Sequence, residues 1–244
     1  MRLQDSWTVA MKDLSTFRRK SYILYSLIAL PVILSVILPG SLLLSDKGGA
    51  MPAATLAQVL QAEFSILIIL AAILPSVIGS YSFIGEKVEK SLEPLLATPA
   101  SDEELLLGKC LAAFLPSLAA TYVGAVLFMS ISDALTYSQL RYLLFPNLTA
   151  GLTLFLTIPF ACILSVEFSV IVSSRVNDIR AAQQLGALII LPMVFIFLLG
   201  ETGTLAIDAA HLLLISGILF AGDLALAFVS RATFQREEIL TKWK

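Results

Sequence analysis

Residues that usually carry catalysis or bind metals are scarce in this chain. It has two cysteines, Cys110 and Cys162, and one histidine, His211, among 244 residues. Both cysteines lie within or at the edge of apolar runs, which argues against a disulfide framework or a cysteine cluster for metal. A lone imidazole makes no metal site, so a hydrogen bond at an interface is the expected role of His211. Charge is scarce as well: only 14% of residues are charged, while 58% are hydrophobic. That balance exceeds what a water-soluble core needs and is the composition of a membrane protein. The formal net charge of −2 carries no sign of a nucleic-acid partner, and none is expected.

Long apolar runs, by contrast, are abundant. They cover residues 22–44, 64–84, 110–131, 148–172, 185–200 and 209–229, with few or no charges in each. A spanning helix needs about 20 residues at about 1.5 Å each, so six spans are expected. The fifth run is short, but Asp178 can cap a helix starting at Ile179 that lengthens it. Lys and Arg flanks stay on the cytoplasmic side during insertion. Fourteen of the sixteen cations, among them Arg2, Lys12, Lys87, Lys90, Lys109, Arg175, Arg180 and Arg231, fall on one side of a six-span layout. Lys47 and Arg141 alone fall on the other, so both termini are expected in the cytoplasm. The polar residues ahead of the first run, and its full span length, argue against a cleaved signal peptide.

Leu3, Trp7, Ala10, Met11, Leu14 and Phe17 recur at steps of three and four, which sets them on one helical stripe. An amphipathic helix over 1–21 in the membrane interface is expected, serving either as an anchor or as a lever packed against a partner and the spans. The external connections 45–63, 132–147 and 201–208 are too short for a separate domain. No internal repeat is evident, so the inverted duplication of many secondary transporters finds no support. The whole chain reads as one all-α transmembrane domain.

The charged segment between the second and third spans, 85–109, is the most informative stretch. Glu86, Lys87, Glu89, Lys90 and Glu93 alternate with Val88, Leu92, Leu95 and Leu96, so a short helix would present an apolar ridge flanked by both signs of charge. Such a ridge suits a protein groove, although a charged loop between spans can equally be a solvated connector. Pro94 and Pro99 limit its length. Ser101 and Glu104 then form a capping box, with Asp102 and Glu103 in the first turn where the helix dipole favours negative charge. The third helix therefore starts near Asp102, well before its apolar run.

GEKVEKSLEPLLATP followed by SDEELLLGK resembles the motif after the second span in permease subunits of type 2 ABC transporters, a largely export-type family. SSRVNDIRAAQQLGALIILP, from Ser173 to Pro192, resembles the same proteins between the fourth and fifth spans. The resemblance implies a cytoplasmic coupling helix within 86–99, seated in a cleft of a separate ATPase subunit. The matching positions are Glu86, Glu89, Leu92, Glu93, Leu95, Leu96 and Pro99. Arg175, Asp178, Arg180 and Gln183 occupy the second motif, either facing the ATPase or a gate, or capping a helix and fixing topology. The resemblance also implies two ATPase copies per complex, a second permease copy or homologue, and ATP and Mg bound by the partner, with no cofactor in this chain. The chain has no phosphate loop of its own where Gly108 and Lys109 stand, because Cys110 follows and position 103 is Glu rather than Gly.

Two carboxylates fall inside the expected spans, Glu167 about 8 Å and Asp223 about 9 Å from the cytoplasmic face at about 1.5 Å per residue. They could line a path for a cation or an amine, or pair with Arg175 or Arg231, or reach interfacial water. Glu63, Asp133 and Asp208 fall at the external edge, where hydration is cheap. Pro31, Pro39, Pro75, Pro116, Pro159 and Pro192 interrupt the spans and can kink them. The sequence thus points to the permease subunit of an ATP-driven exporter in the cell membrane, with covalent chemistry left to a partner. A stand-alone ion-coupled transporter or channel built on Glu167 and Asp223 is the alternative.

Overall fold

A computed structural model describes residues 3–19, 21–45, 51–88, 101–176, 178–201 and 208–233. The described residues outside turns and caps are helical: α1 (Leu3–Arg19), α2 (Ser21–Ser45), α3 (Ala53–Phe64), α4 (Ile66–Val88), α5 (Asp102–Leu140), α6 (Leu148–Leu152), α7 (Ile158–Arg175), α8 (Ile179–Gly186), α9 (Ile190–Glu201) and α10 (Ala209–Thr233). A π-helical turn, Thr153–Thr157, joins α6 to α7, and a 3-10 turn, Ala187–Ile189, joins α8 to α9.

Five of the resulting rods are long and apolar enough to cross a membrane: Ala53–Glu86, Asp102–Leu140, Leu148–Arg175, Ile179–Leu199 and Ala209–Ser230. Within α2 the apolar stretch Leu27–Leu42 is shorter. The molecule is therefore an all-α, multi-span membrane bundle, with five candidate spans where the sequence suggests six.

Helix ends follow local chemistry. The Ser101 hydroxyl accepts from the Glu104 N–H at 3.3 Å while the Glu104 carboxylate accepts from the Ser101 N–H at 2.8 Å, so the capping box expected from the sequence is formed. Asp178 accepts from the Arg180 N–H at 3.2 Å and starts α8, which carries the fifth apolar run back to Ile179 as expected. Pro159, which offers no N–H, follows directly on the π-helical turn that accommodates it. Two expected connections are shorter than the hydropathy pattern suggests. Residues of 45–63 form α3, and α5 runs to Leu140 before Arg141 ends it in the left-handed region at φ 61°. Asp133 holds the turn that follows by accepting from the N–H groups of Leu144 and Phe145 at 2.9 and 3.1 Å.

The centre of the bundle is the α4–α7 pair. Ser165, Ser169 and Ser173 recur every fourth residue on α7 and face α4. The Ser173 hydroxyl lies 3.1 Å from both the Phe83 nitrogen and the Ser80 carbonyl, and the Ser165 hydroxyl bonds the Ala72 carbonyl. A Cβ on Gly79 would fall 2.8 Å from the Ser169 Cβ, so the two helices touch nearly backbone to backbone. Towards the end of the bundle that contains the 141–147 turn, Phe64, Phe128 and Phe145 form an aromatic cluster with centroids 5.1 to 6.1 Å apart. The outer faces of α2, α9 and α10 are apolar, with Ile33, Phe195, Ile218 and Phe228 exposed, as lipid-facing surfaces require.

Candidate functional site

At the opposite end of the bundle α1 lies across the beginning of α5. Its amphipathic pattern has two uses. Ser6, Val9, Ala10 and Asp13 turn inward and are buried, while Trp7 and Met11 of the apolar stripe remain exposed. The close approach is made at Gly108, where a Cβ would stand 2.7 Å from the Ser6 carbonyl oxygen and 2.7 Å from the Val9 Cβ. Any side chain there would collide with the backbone of α1.

One residue further along α5, Lys109 points into this junction with its side chain fully enclosed. Its Nζ lies 3.0 Å from Glu86 Oε2 and 3.4 Å from Asp13 Oδ2, donates to the Ser82 carbonyl at 2.8 Å, and sits 4.6 Å from the centre of the Phe83 ring. The other Glu86 oxygen, Oε1, accepts from Lys12 at 2.6 Å. Glu86 thus gives one oxygen to α1 and the other to α5. Two lysines balance two carboxylates, so the junction is neutral overall. Burial pushes the Asp13 carboxyl above its ordinary range; Lys109 pulls it down, Glu86 pushes it up, and Lys12 opposes again. Desolvation outweighs the cations, which makes Asp13–Lys109 the weaker link and Glu86–Lys109 the main one. Removing one partner of a buried pair typically costs about 3–5 kcal/mol, because the survivor is left charged and dry.

Glu86, three residues before segment 89–100, meets Lys109, nine residues after it, and each bonds a residue of α1, so α4, α5 and α1 are joined at one point. Glu86, one of the positions matched to the coupling segment, is buried and bonded to both lysines. Glu89, Leu92, Glu93, Leu95, Leu96 and Pro99 lie outside the described residues. In the second motif Arg175 and Arg180 are exposed, Gln183 is half-buried and Asp178 serves as the α8 cap. Sequence reasoning used Lys109 as a topology signal and to exclude a phosphate loop, not as a buried ion-pair partner. Its setting, with Leu105, Leu106 and Leu107 before it and Cys110 after, was the clue that its charge would need a buried partner.

Glu167 on α7 and Asp223 on α10 form a second acidic pair, with Glu167 within electrostatic range of Cys110, the residue after Lys109. The two helices are in register through Thr157 with Ser216 at 2.8 Å, Phe160 with Phe220 at 5.3 Å between centroids, and Leu164 with Gly222, whose Cβ would be 2.9 Å from Leu164 Cδ1. That register sets Asp223 beside Leu164, about one turn of α7 from Glu167. Asp223 is 6% exposed, and neither of its carboxyl oxygens has a hydrogen-bond partner; the same holds for Glu167 Oε2. At the N-terminus of α10, the His211 ring bonds Asp208 at 2.7 Å, and the His211 N–H leads the interactions that hold the Asp208 carboxyl below its ordinary range.

A multi-span helical bundle with a charged junction gathered at one end is the architecture of a polytopic membrane protein. Residues 7–220 match the family described as ABC-2 family transporter protein, and the chain belongs to that family. It is accordingly a membrane component of an ABC-2-type transporter, a family whose members are typically non-catalytic permease subunits and imply an ATPase partner. No curated protein matches the chain.

Proposed function

We propose that this protein is the permease subunit of an ATP-driven exporter, and that segment 86–99 couples it to a separate ATPase chain. The observation that carries the reading is the meeting of α4, α5 and α1 at Glu86 and Lys109, which roots a charged and apolar segment firmly at one end of the bundle. Family membership and the lack of a phosphate loop support a partner as the source of ATP hydrolysis. The fourteen-to-two distribution of Lys and Arg supports a six-span layout with both termini cytoplasmic and α2 as the first span. Two permease copies with two ATPase chains complete the assembly, and the permease contributes by preferring different conformations in different nucleotide states. The motif residues Arg175, Arg180 and Gln183 lie on the same cytoplasmic side in this layout.

Affinity capture of the tagged chain from native membranes tests this reading. A chain bearing a phosphate loop should be captured with it, and Leu92→Arg should reduce that capture at least tenfold while leaving membrane insertion intact. A chain captured alone, or equal capture with Leu92→Arg, contradicts the reading.

The unpartnered carboxyl of Asp223, with Glu167 one turn away, supports a cationic or amine-bearing substrate passing between α7 and α10. Efflux of the cationic dye ethidium should then fall at least fivefold in Asp223→Asn and persist in Asp223→Glu. Equal efflux in the two variants and the unaltered chain removes this substrate class.

A further inference from the structure

The junction at Lys109 has a geometry that anchoring alone does not require. An interfacial helix needs only an apolar face to stay at the membrane, and α1 keeps Trp7 and Met11 exposed for that purpose. Its opposite face is buried against α5, with Ser6, Val9, Ala10 and Asp13 turned inward and the close approach at Gly108 beside them, and on that face Asp13 carries the charged contact. Lys109 gathers four groups from two other helices: the carboxylates of Glu86 and Asp13, the Ser82 carbonyl and the Phe83 ring. Lys12 then returns from α1 to the free oxygen of Glu86. The contacts form a closed triangle of α1, α4 and α5.

Apolar side chains could fill the same space without desolvating any charge, and such replacements are often neutral or stabilising. What charge adds is a choice of partner. An apolar side chain is attracted to any apolar neighbour, whereas an ammonium shared by two carboxylates and a carbonyl ties those particular groups on α1 and α4 to one point on α5.

We propose that Lys109 is a positioning residue that locks α1 and the two roots of segment 89–100 into one rigid unit, so that α1 moves with the coupling segment during the transport cycle. The source of that movement rests on the reading of 86–99 as the ATPase docking segment; the locking itself does not. Glu86 is the hub on α4, and Asp13 and Lys12 are the α1 side of the lock. Displacement of segment 89–100 is then delivered to α5 directly and to the membrane interface through α1.

Spin labels at Thr8 on α1 and Glu103 on α5, both exposed, report the lock as a distance distribution in the full chain captured with its partner. The native Cys110 and Cys162 are replaced by serine first. The distribution should be narrow and should coincide in the nucleotide-free and vanadate-trapped states. Lys109→Met, which keeps an unbranched stem of similar length and removes the ammonium, should broaden it at least twofold. Lys12→Met, at a side chain already 45% exposed and therefore outside the packed core, should broaden it partially. Unchanged widths in both Met variants, or an α1–α5 distance that shifts with nucleotide in the unaltered lock, overturns the proposal. Failure to capture any ATPase defeats the functional reading alone, since the nucleotide-free widths still decide whether Lys109 locks α1.

Discussion

Lys109 stands one residue outside the apolar run that begins at Cys110, and its ammonium is wholly enclosed among α1, α4 and α5. Asp13 is the titrating member of this group outside the spans, and its raised carboxyl makes a signed prediction. A carboxyl that holds its proton more readily when docked than when free favours docking fully below its ordinary value near 3.8, and that contribution is lost as pH rises through the raised value. Acidification should therefore favour the docked population of α1, read as slower backbone amide exchange across α1 after correction for the intrinsic rate, with Lys109, Lys12 and Glu86 as the neighbouring charges. Asp13→Asn should remove that dependence; faster corrected exchange on acidification would contradict the assignment. These roles were only partly legible in the sequence. Glu86 and Lys109 were picked out as charged residues, but their burial depends on α1 folding back from about a hundred residues away, a contact that helical periodicity does not encode. Asp13 lies off the apolar stripe, which marks the membrane face of α1 and carries no signal for the face against α5.

At the scale of elements, the Ser165–Ser169–Ser173 row on α7 and Gly79 on α4 set how closely the central helices approach. A branched side chain at Gly79 must displace Ser169, whose Cβ is 2.8 Å from the added Cβ and has no flexible end to move. Gly79→Val should cost about 1–3 kcal/mol and lower the thermal unfolding midpoint measured in detergent. Gly217→Ala, where nothing lies within 4 Å of the added Cβ, should leave that midpoint unchanged or raise it. Equal losses in the two variants would show that helix approach at Gly79 is not limiting. Helix starts were the most legible features, since Ser101 with Glu104 and Asp178 with the Arg180 N–H are short-range chemistry. Helix ends were less so. The run of α5 to Leu140 crosses polar residues such as Ser132 and Asp133 that hydropathy alone assigns to a loop, and α3 occupies a stretch of mixed polarity for the same reason.

For the molecule as a whole, two charged features divide the labour. One end of the bundle gathers α1, the roots of segment 89–100 and the α8 cap, while the carboxylates Glu167 and Asp223 sit on α7 and α10, with Glu167 within electrostatic range of Cys110 next to the junction. The family match over residues 7–220 agrees with the resemblance carried by the two sequence motifs, and the account turns on what segment 89–100 touches. The most direct measurement is site-specific photocrosslinking in intact native membranes, with a photoreactive residue at position 92 and, as the control, at exposed Tyr142 near the other end of the bundle. The account predicts an adduct from position 92 between this chain and a polypeptide carrying a phosphate loop, and none from position 142. No such adduct from 92, or equal adducts from both positions, would contradict it.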